Sequence, residues 1–64
     1  MESEPKDLGA VAVDGAIKYE LWEHDAKHIK LRNIQEPEQY LLIDLQAIPG
    51  IASILNKAAR EFGV

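Results

Sequence analysis

The sequence contains no cysteine. This absence excludes disulfides, iron–sulfur clusters, cysteine-ligated zinc and thiolate nucleophiles. The chain has only 64 residues, and a domain this short buries about 60% of the surface of its unfolded form and gains only about 3 to 5 kcal/mol from its core. Self-association is the common means of stabilisation that remains, so we expect a homo-oligomer, most simply a dimer.

Long apolar runs are absent as well. No stretch approaches the roughly 18 apolar residues of a membrane span. Residues 1–20 do not have the basic start and apolar segment of a secretory signal. The sequence therefore predicts a cytoplasmic protein without membrane association.

Positive charge is scarce, since seven Lys and Arg residues stand against eleven Asp and Glu, for a net charge of −4. A general nucleic-acid coat protein normally presents a basic excess to the phosphates. Residues 1–7 hold three of the acidic residues and one basic residue, which leaves eight acidic and six basic in the remainder. The charge weakens a nucleic-acid function without excluding it.

The N-terminal segment differs in composition from the rest. Residues 1–7 contain Pro5 and no large apolar side chain after Met1, so nothing there offsets the entropy of ordering them. We predict a disordered acidic tail over residues 1–7 and a single domain over residues 8–64.

The first half of the domain reads as three strands. Asp14-Gly15 is a typical type I′ hairpin turn between a strand from Leu8 and an alternating strand over residues 16–24. A third alternating strand covers residues 28–34. A three-residue loop over 25–27 is required for the apolar faces to agree, and it predicts three cross-strand pairs: Leu21 with Leu31, Glu20 with Arg32, and Trp22 with Lys30.

The second half begins with an apolar run over residues 40–46, interrupted only by Asp44. This run fits a strand covered on both faces or the beginning of a helix, and Asp44 is expected to cap the turn or helix that follows. A helix is predicted over residues 49–62, with proline in its first turn and Gly63 after its end. Its apolar residues are spaced at three and four positions: Ile51, Ile54, Leu55, Ala58 and Phe62.

Together these elements predict an α+β fold, a small antiparallel sheet of three to four strands in the order β-β-β-β-α, packed under one C-terminal amphipathic helix. The same element order occurs in single-stranded-DNA-binding domains of the transcriptional positive-cofactor type. That analogy is one of topology alone, without a shared sequence motif.

One helix covers one face of a sheet, so an apolar second face indicates a partner. With regular pairing, Ala10 and Ala12 lie on the helix side, while the valines of the first strand join Trp22 on the outer face. The candidate oligomer interface consists of Val11, Val13, Trp22, Tyr40 and Leu42. The alternative is a bulge that turns both valines under the helix.

An aromatic side chain with basic neighbours forms the candidate binding site. Its members are Trp22, Lys18, Lys30, Arg32 and His28. Such a set suits a stacking platform for single-stranded nucleic acid, in which the ring takes a base and the cations follow the phosphates. The alternative is cation–π packing and cross-strand pairing without any ligand.

No arrangement of catalytic residues is visible. His24 and His28 straddle a turn, where a solvated polar loop is expected rather than a metal site. The sequence offers no nucleophile with its base and no glycine-rich phosphate loop, so we expect neither catalysis nor a cofactor. The preferred hypothesis is a non-enzymatic homo-oligomeric module for protein recognition or regulation. A second alternative is an acidic inhibitor that covers a basic nucleic-acid-binding partner through Glu36 and Glu38.

Overall fold

The computed structural model describes residues 5–64. Its elements form one antiparallel sheet in the order β1-β2-β3-β4, followed by a 3-10 turn and one helix. The elements are β1 (Asp7–Val13), β2 (Ala16–Glu23), β3 (His28–Asn33), β4 (Tyr40–Asp44), the 3-10 turn (Leu45–Ala47) and α1 (Ile48–Phe62). The α+β class and the element order are confirmed. β1 begins at Asp7, and residues 1–4 of the predicted tail lie outside the described residues.

The β1–β2 hairpin turns at the predicted dipeptide. Asp14 has φ 54° and Gly15 has φ 83°, so both residues adopt the positive φ that a type I′ turn requires. Glycine adopts this conformation freely, and aspartate tolerates it better than most side chains. The hairpin prediction is confirmed.

The β2–β3 pairing also has the predicted register. Leu21 lies opposite Leu31, and Trp22 lies opposite Lys30. The three-residue loop is tightened by Asp25, whose Oδ1 accepts a hydrogen bond from the backbone N–H of Lys27 at 2.8 Å. This Asx turn explains how so short a loop keeps the apolar faces of the two strands aligned.

Residues 40–46 divide between a strand and a turn. Tyr40 to Asp44 pair with β3, with Leu41 opposite Leu31, and the backbone then enters the 3-10 turn. The strand alternative is therefore correct for all but the last residues of the run. Asp44 occupies the N-cap position of the turn, but its side chain forms no capping hydrogen bond.

Two irregularities in the β1–β2 pairing set which residues share a face. Val11 lies opposite Tyr19 and Ala12 lies opposite Ile17, so Lys18 is an extra residue in β2. A second shift lies between Asp7 and Gly9. A bulge of this kind moves the following side chains to the opposite face.

The face predicted for the β1 valines is therefore wrong. Val11 and, by alternation, Val13 lie on the face of Tyr19 and Leu21, whereas Trp22 points to the other side. We define the leucine face by Val11, Val13, Tyr19, Leu21, Ile29, Leu31, Leu41 and Ile43, and the tryptophan face by Ala10, Glu20, Trp22, Lys30, Arg32, Tyr40 and Leu42. The valines are 56% and 41% exposed, so they are not buried under the helix either.

The helix begins and ends near the predicted residues. Pro49 lies in its first turn, and Gly63 ends it with φ 70°, a left-handed conformation that suits glycine at this position. However, α1 makes its main contacts with the preceding 3-10 turn and has no buried residue. Ile54 and Leu55 are 63% and 62% exposed.

The expectation that α1 covers the sheet of its own chain is therefore not met. The three residues of the 3-10 turn join β4 to α1, and the helix continues from the end of the strand with its main contacts to that turn rather than to the sheet. The chain extends over 45 Å along its longest axis and only 17 Å along its shortest. The helix stripe is left largely exposed, and on the leucine face Val11, Val13 and Leu41 are exposed.

Ile29 is the one apolar side chain that is buried among residues 5–64, at 6% exposure. It lies on the leucine face, between Glu23 of β2 and Ile43 of β4.

Replacing Ile29 by alanine is expected to lower the free energy of unfolding by about 2 to 5 kcal/mol, because a buried side chain is lost and a cavity remains. Ile17→Ala is the matched control, since Ile17 is 56% exposed and surface substitutions usually change stability by no more than about 0.5 kcal/mol. Urea denaturation at one protein concentration measures both variants. Equal losses in the two variants would contradict the assignment of Ile29 as the core residue.

Candidate functional site

The tryptophan face presents two rows of side chains across β2, β3 and β4. One row consists of Trp22, Lys30 and Leu42, and the next consists of Glu20, Arg32 and Tyr40. The regular pairing of these strands places the aromatic and basic residues side by side. This is the part of the candidate binding site that the sequence predicts through register.

A shallow depression of about 310 Å³ lies on this face. Residues from the N-terminal segment, β2, the following turn and β3 line it: Pro5, Trp22, Glu23, His24, Lys30 and Arg32. Trp22 is half-buried, and its indole nitrogen Nε1 is covered without a hydrogen bond of good geometry. The ring is therefore partly packed rather than freely displayed.

Both cations of the depression already have partners within the chain. Nη2 of Arg32 donates a hydrogen bond to Oε1 of Glu20. This guanidinium, together with a weaker contribution from the nearby Trp22 indole, lowers the pKa of Glu20 below its ordinary value. Nζ of Lys30 lies 4.6 Å from the centroid of the Tyr40 ring, within cation–π distance. The predicted Glu20–Arg32 pair is confirmed.

The remaining candidate binding residues lie elsewhere. Lys18 occupies the β2 bulge, with its Nζ 5.7 Å from the ring centroid of Tyr19. His28 is held at the end of the sheet by two aspartates. The structure thus brings Trp22, Lys30 and Arg32 together, but not Lys18 or His28.

The candidate oligomer interface is divided in the same way. Trp22, Tyr40 and Leu42 share the tryptophan face, where Tyr40 is 53% and Leu42 is 40% exposed. Val11 and Val13 lie on the leucine face. The five residues therefore do not form one surface in a single chain.

The acidic residues proposed for an inhibitor function, Glu36 and Glu38, lie in the connection between β3 and β4, where both are exposed. Nothing in the described chain identifies a basic partner for them. The inhibitor hypothesis stays a prediction.

A second polar cluster joins the β2–β3 turn to the end of β4. Nδ1 of His28 lies 2.9 Å from Oδ1 of Asp25, and Nε2 lies 3.0 Å from Oδ1 of Asp44. Both contacts are hydrogen bonds to carboxylates only when the imidazole carries a proton on each nitrogen. Nearby, the backbone N–H of Leu45 donates to the carbonyl oxygen of Lys27 at 2.9 Å.

The contacts within this cluster favour the charged forms of His28 and Asp25. The pKa of His28 is raised, chiefly by the hydrogen bond with Asp25, and the pKa of Asp25 is lowered, chiefly by the backbone N–H of Lys27 and then by His28. Asp44 therefore serves as a partner of His28 rather than as the predicted cap. This contact was not predicted from the sequence. The β3–β4 register would have indicated it, since it places His28 opposite Asp44.

Comparison of the chain with protein-family models, curated proteins and solved structures found no match. Within residues 5–64 no helix is long and apolar enough to cross a membrane. The same residues contain no group of three or more His, Asp or Glu side chains arranged to hold a metal ion.

The raised pKa of His28 predicts a pH-dependent stability. The contribution of the charged imidazole is fully present below the ordinary value of 6.5 and is lost as the pH rises through the higher folded-state value. As the pH rises from about 6 to about 8.5, the Tm of the unmodified protein should therefore decrease relative to the Tm of the His28→Gln variant.

His24→Gln is the matched control, because His24 is the other histidine of the chain. It should keep the pH dependence of the unmodified protein. A His28→Gln variant with the same pH profile as the unmodified protein would show that the cluster does not contribute to stability.

Proposed function

We propose that the protein is a non-enzymatic binding or regulatory module that works as a homodimer through protein–protein recognition. The observation that carries this proposal is the amount of surface, much of it apolar, that a single chain leaves exposed. The non-enzymatic assignment rests on the sequence, which shows no nucleophile with its base.

The exposed surface is large for a chain of this mass. A compact monomer of 7.2 kDa is expected to expose about 4,100 Å², whereas this chain exposes 5510 Å². The excess is about 1,400 Å² per chain. Residues 1–4 account for at most about 700 Å² of it, the surface of four fully extended residues.

If two chains cover this excess on each other, the dimer buries about 1,400 to 2,800 Å² of accessible surface in total. This range extends from standard-size interfaces to obligate ones. Six of the exposed large apolar side chains lie on the leucine face or on α1: Val11, Val13, Leu41, Ile54, Leu55 and Phe62. Tyr40 and Leu42 are also exposed, on the tryptophan face. Apolar patches of this extent are typical of interaction surfaces. A second copy of the chain carries both the leucine face and α1, and it is present wherever the first copy is. It is therefore the simplest partner for these surfaces.

The dimer predicts that mass and stability depend on protein concentration. Sedimentation equilibrium should give twice the 7.2 kDa mass of one chain. The Tm should rise with concentration, because association favours the folded state by mass action. A concentration-independent monomer that is fully folded would overturn the proposal.

A second candidate function is weak binding of single-stranded nucleic acid on the tryptophan face. It is favoured by one observation, the depression in which Trp22, Lys30 and Arg32 meet. An aromatic ring between two cations is the combination that stacks a base and follows its phosphates. Two features oppose it, namely the pairing of Arg32 with Glu20 and the net charge of −4.

Fluorescence of Trp22, the single tryptophan, tests this candidate by titration with a mixed pool of single-stranded oligonucleotides. Binding should quench or shift the emission at low salt and weaken as salt rises, with a log–log slope of about −0.7 for each phosphate neutralised. Arg32→Ala should reduce the affinity, whereas Lys57→Ala on the helix serves as the charge-matched control. Equal affinities for the two variants would exclude the tryptophan face as the site.

A further inference from the structure

We propose that α1 of one copy docks across the leucine face of the second copy, and that the second copy's helix docks on the first in the same way. This inference rests on the proposed homodimer and specifies its interface. It assigns the two open apolar surfaces of each chain to each other.

The helix contributes a continuous apolar stripe. From Ile51 to Phe62 the stripe is about 16 Å long at 1.5 Å per residue. Leu55 lies near its middle at 62% exposure, and Phe62 at its end is 78% exposed. An amphipathic helix gains most of its stability from packing this stripe, and the stripe has little packing within its own chain.

The leucine face offers a surface of matching size. Leu21, Leu31 and Leu41 form one row across three adjacent strands. The four strands span about 14 Å between the outer two, at about 4.8 Å per interval. Leu41 is 58% exposed and Val11, on β1, is 56% exposed, so both ends of the surface lack a cover.

The same chain does not supply that cover. The N–H of Leu45 is bonded to the carbonyl oxygen of Lys27, and Asp44 is bonded to His28, so the start of the connection is fixed to the sheet. The three residues of the 3-10 turn then lead directly into α1. The helix extends away from the sheet and becomes available to another molecule.

Charge favours the same arrangement. Residues 48–62 contain two basic residues and one acidic residue, a net charge of +1. Since the whole chain has a net charge of −4, the remaining residues have a net charge of −5. A helix of one copy is therefore attracted to the sheet of the other, whereas two such helices repel each other weakly. Reciprocal docking uses the same patch on both copies and closes the pair without leaving a free site.

The test uses charges placed at the middle of each surface. Leu55→Lys on the helix and Leu41→Glu on the sheet should each raise the dimer dissociation constant by about 30-fold or more, as expected when a central interface residue is lost. Leu42→Glu is the matched control. It places the same charge on the opposite face of the same strand and should leave the dimer mass unchanged.

Mixing decides which surfaces meet. The Leu55→Lys copy mixed with the Leu41→Glu copy should recover a dimer within about tenfold of the original affinity, because one docking contact gains an ion pair and the other is unaltered. Circular dichroism is recorded with the mass. If the single variants fail to fold alone, recovery of the folded spectrum on mixing reports the same contact.

The remaining outcomes overturn the inference. Recovery from Leu55→Lys mixed with Leu55→Glu, without recovery from the helix–sheet mixture, would show that the helices pair with each other. Dissociation by Leu42→Glu but not by Leu41→Glu would assign the dimer to the tryptophan face. In both cases the homodimer survives, whereas a monomeric unmodified protein would remove the proposed function itself.

Discussion

The direction in which α1 leaves β4 determines most of what is distinctive in this chain. The three residues of the 3-10 turn lead directly into the helix, and the helix makes its main contacts with that turn rather than with the sheet. The backbone bond from Leu45 to Lys27 and the pairing of Asp44 with His28 hold the start of this connection. One chain therefore leaves the apolar stripe of α1 and part of the leucine face exposed, and its only buried apolar residue within the described range is Ile29.

The tryptophan face follows a different principle. Its charged side chains are satisfied by neighbours on adjacent strands, as Arg32 is by Glu20 and Lys30 is by the ring of Tyr40. Such pairs contribute to sheet stability, and a ligand that recruits the cations must compete with them. The contacts that are already formed on this face serve a structural role.

Local signals in the sequence were sufficient for the turns and for the β2–β3 register. Asp14-Gly15 predicts the hairpin, the alternation of β2 and β3 predicts the loop over residues 25–27, and Gly63 predicts the end of the helix. These features depend on residues close together in the chain. The β2 bulge at Lys18 has no such signal, because a single extra residue leaves the alternation on either side unchanged.

The position of the helix and the contact between His28 and Asp44 depend on how distant elements meet. Periodicity shows that α1 is amphipathic, but not which molecule covers it. An apolar stripe and an apolar sheet face in one sequence are equally compatible with packing inside one chain and with packing between two. Of the candidate binding residues, the structure brings together only those placed by strand register, Trp22, Lys30 and Arg32.

The irregular pairing of β1 has a consequence for the solubility of an open sheet. β1 is an outer strand of an open sheet, and an outer strand with regularly spaced N–H and C=O groups is a template for adding further strands and for aggregation. The shift between Asp7 and Gly9, where Gly9 has φ 135°, interrupts that spacing within the strand itself. Growth of the sheet from strand to strand is thereby disfavoured along this edge, which protects the protein from open-ended aggregation through β1.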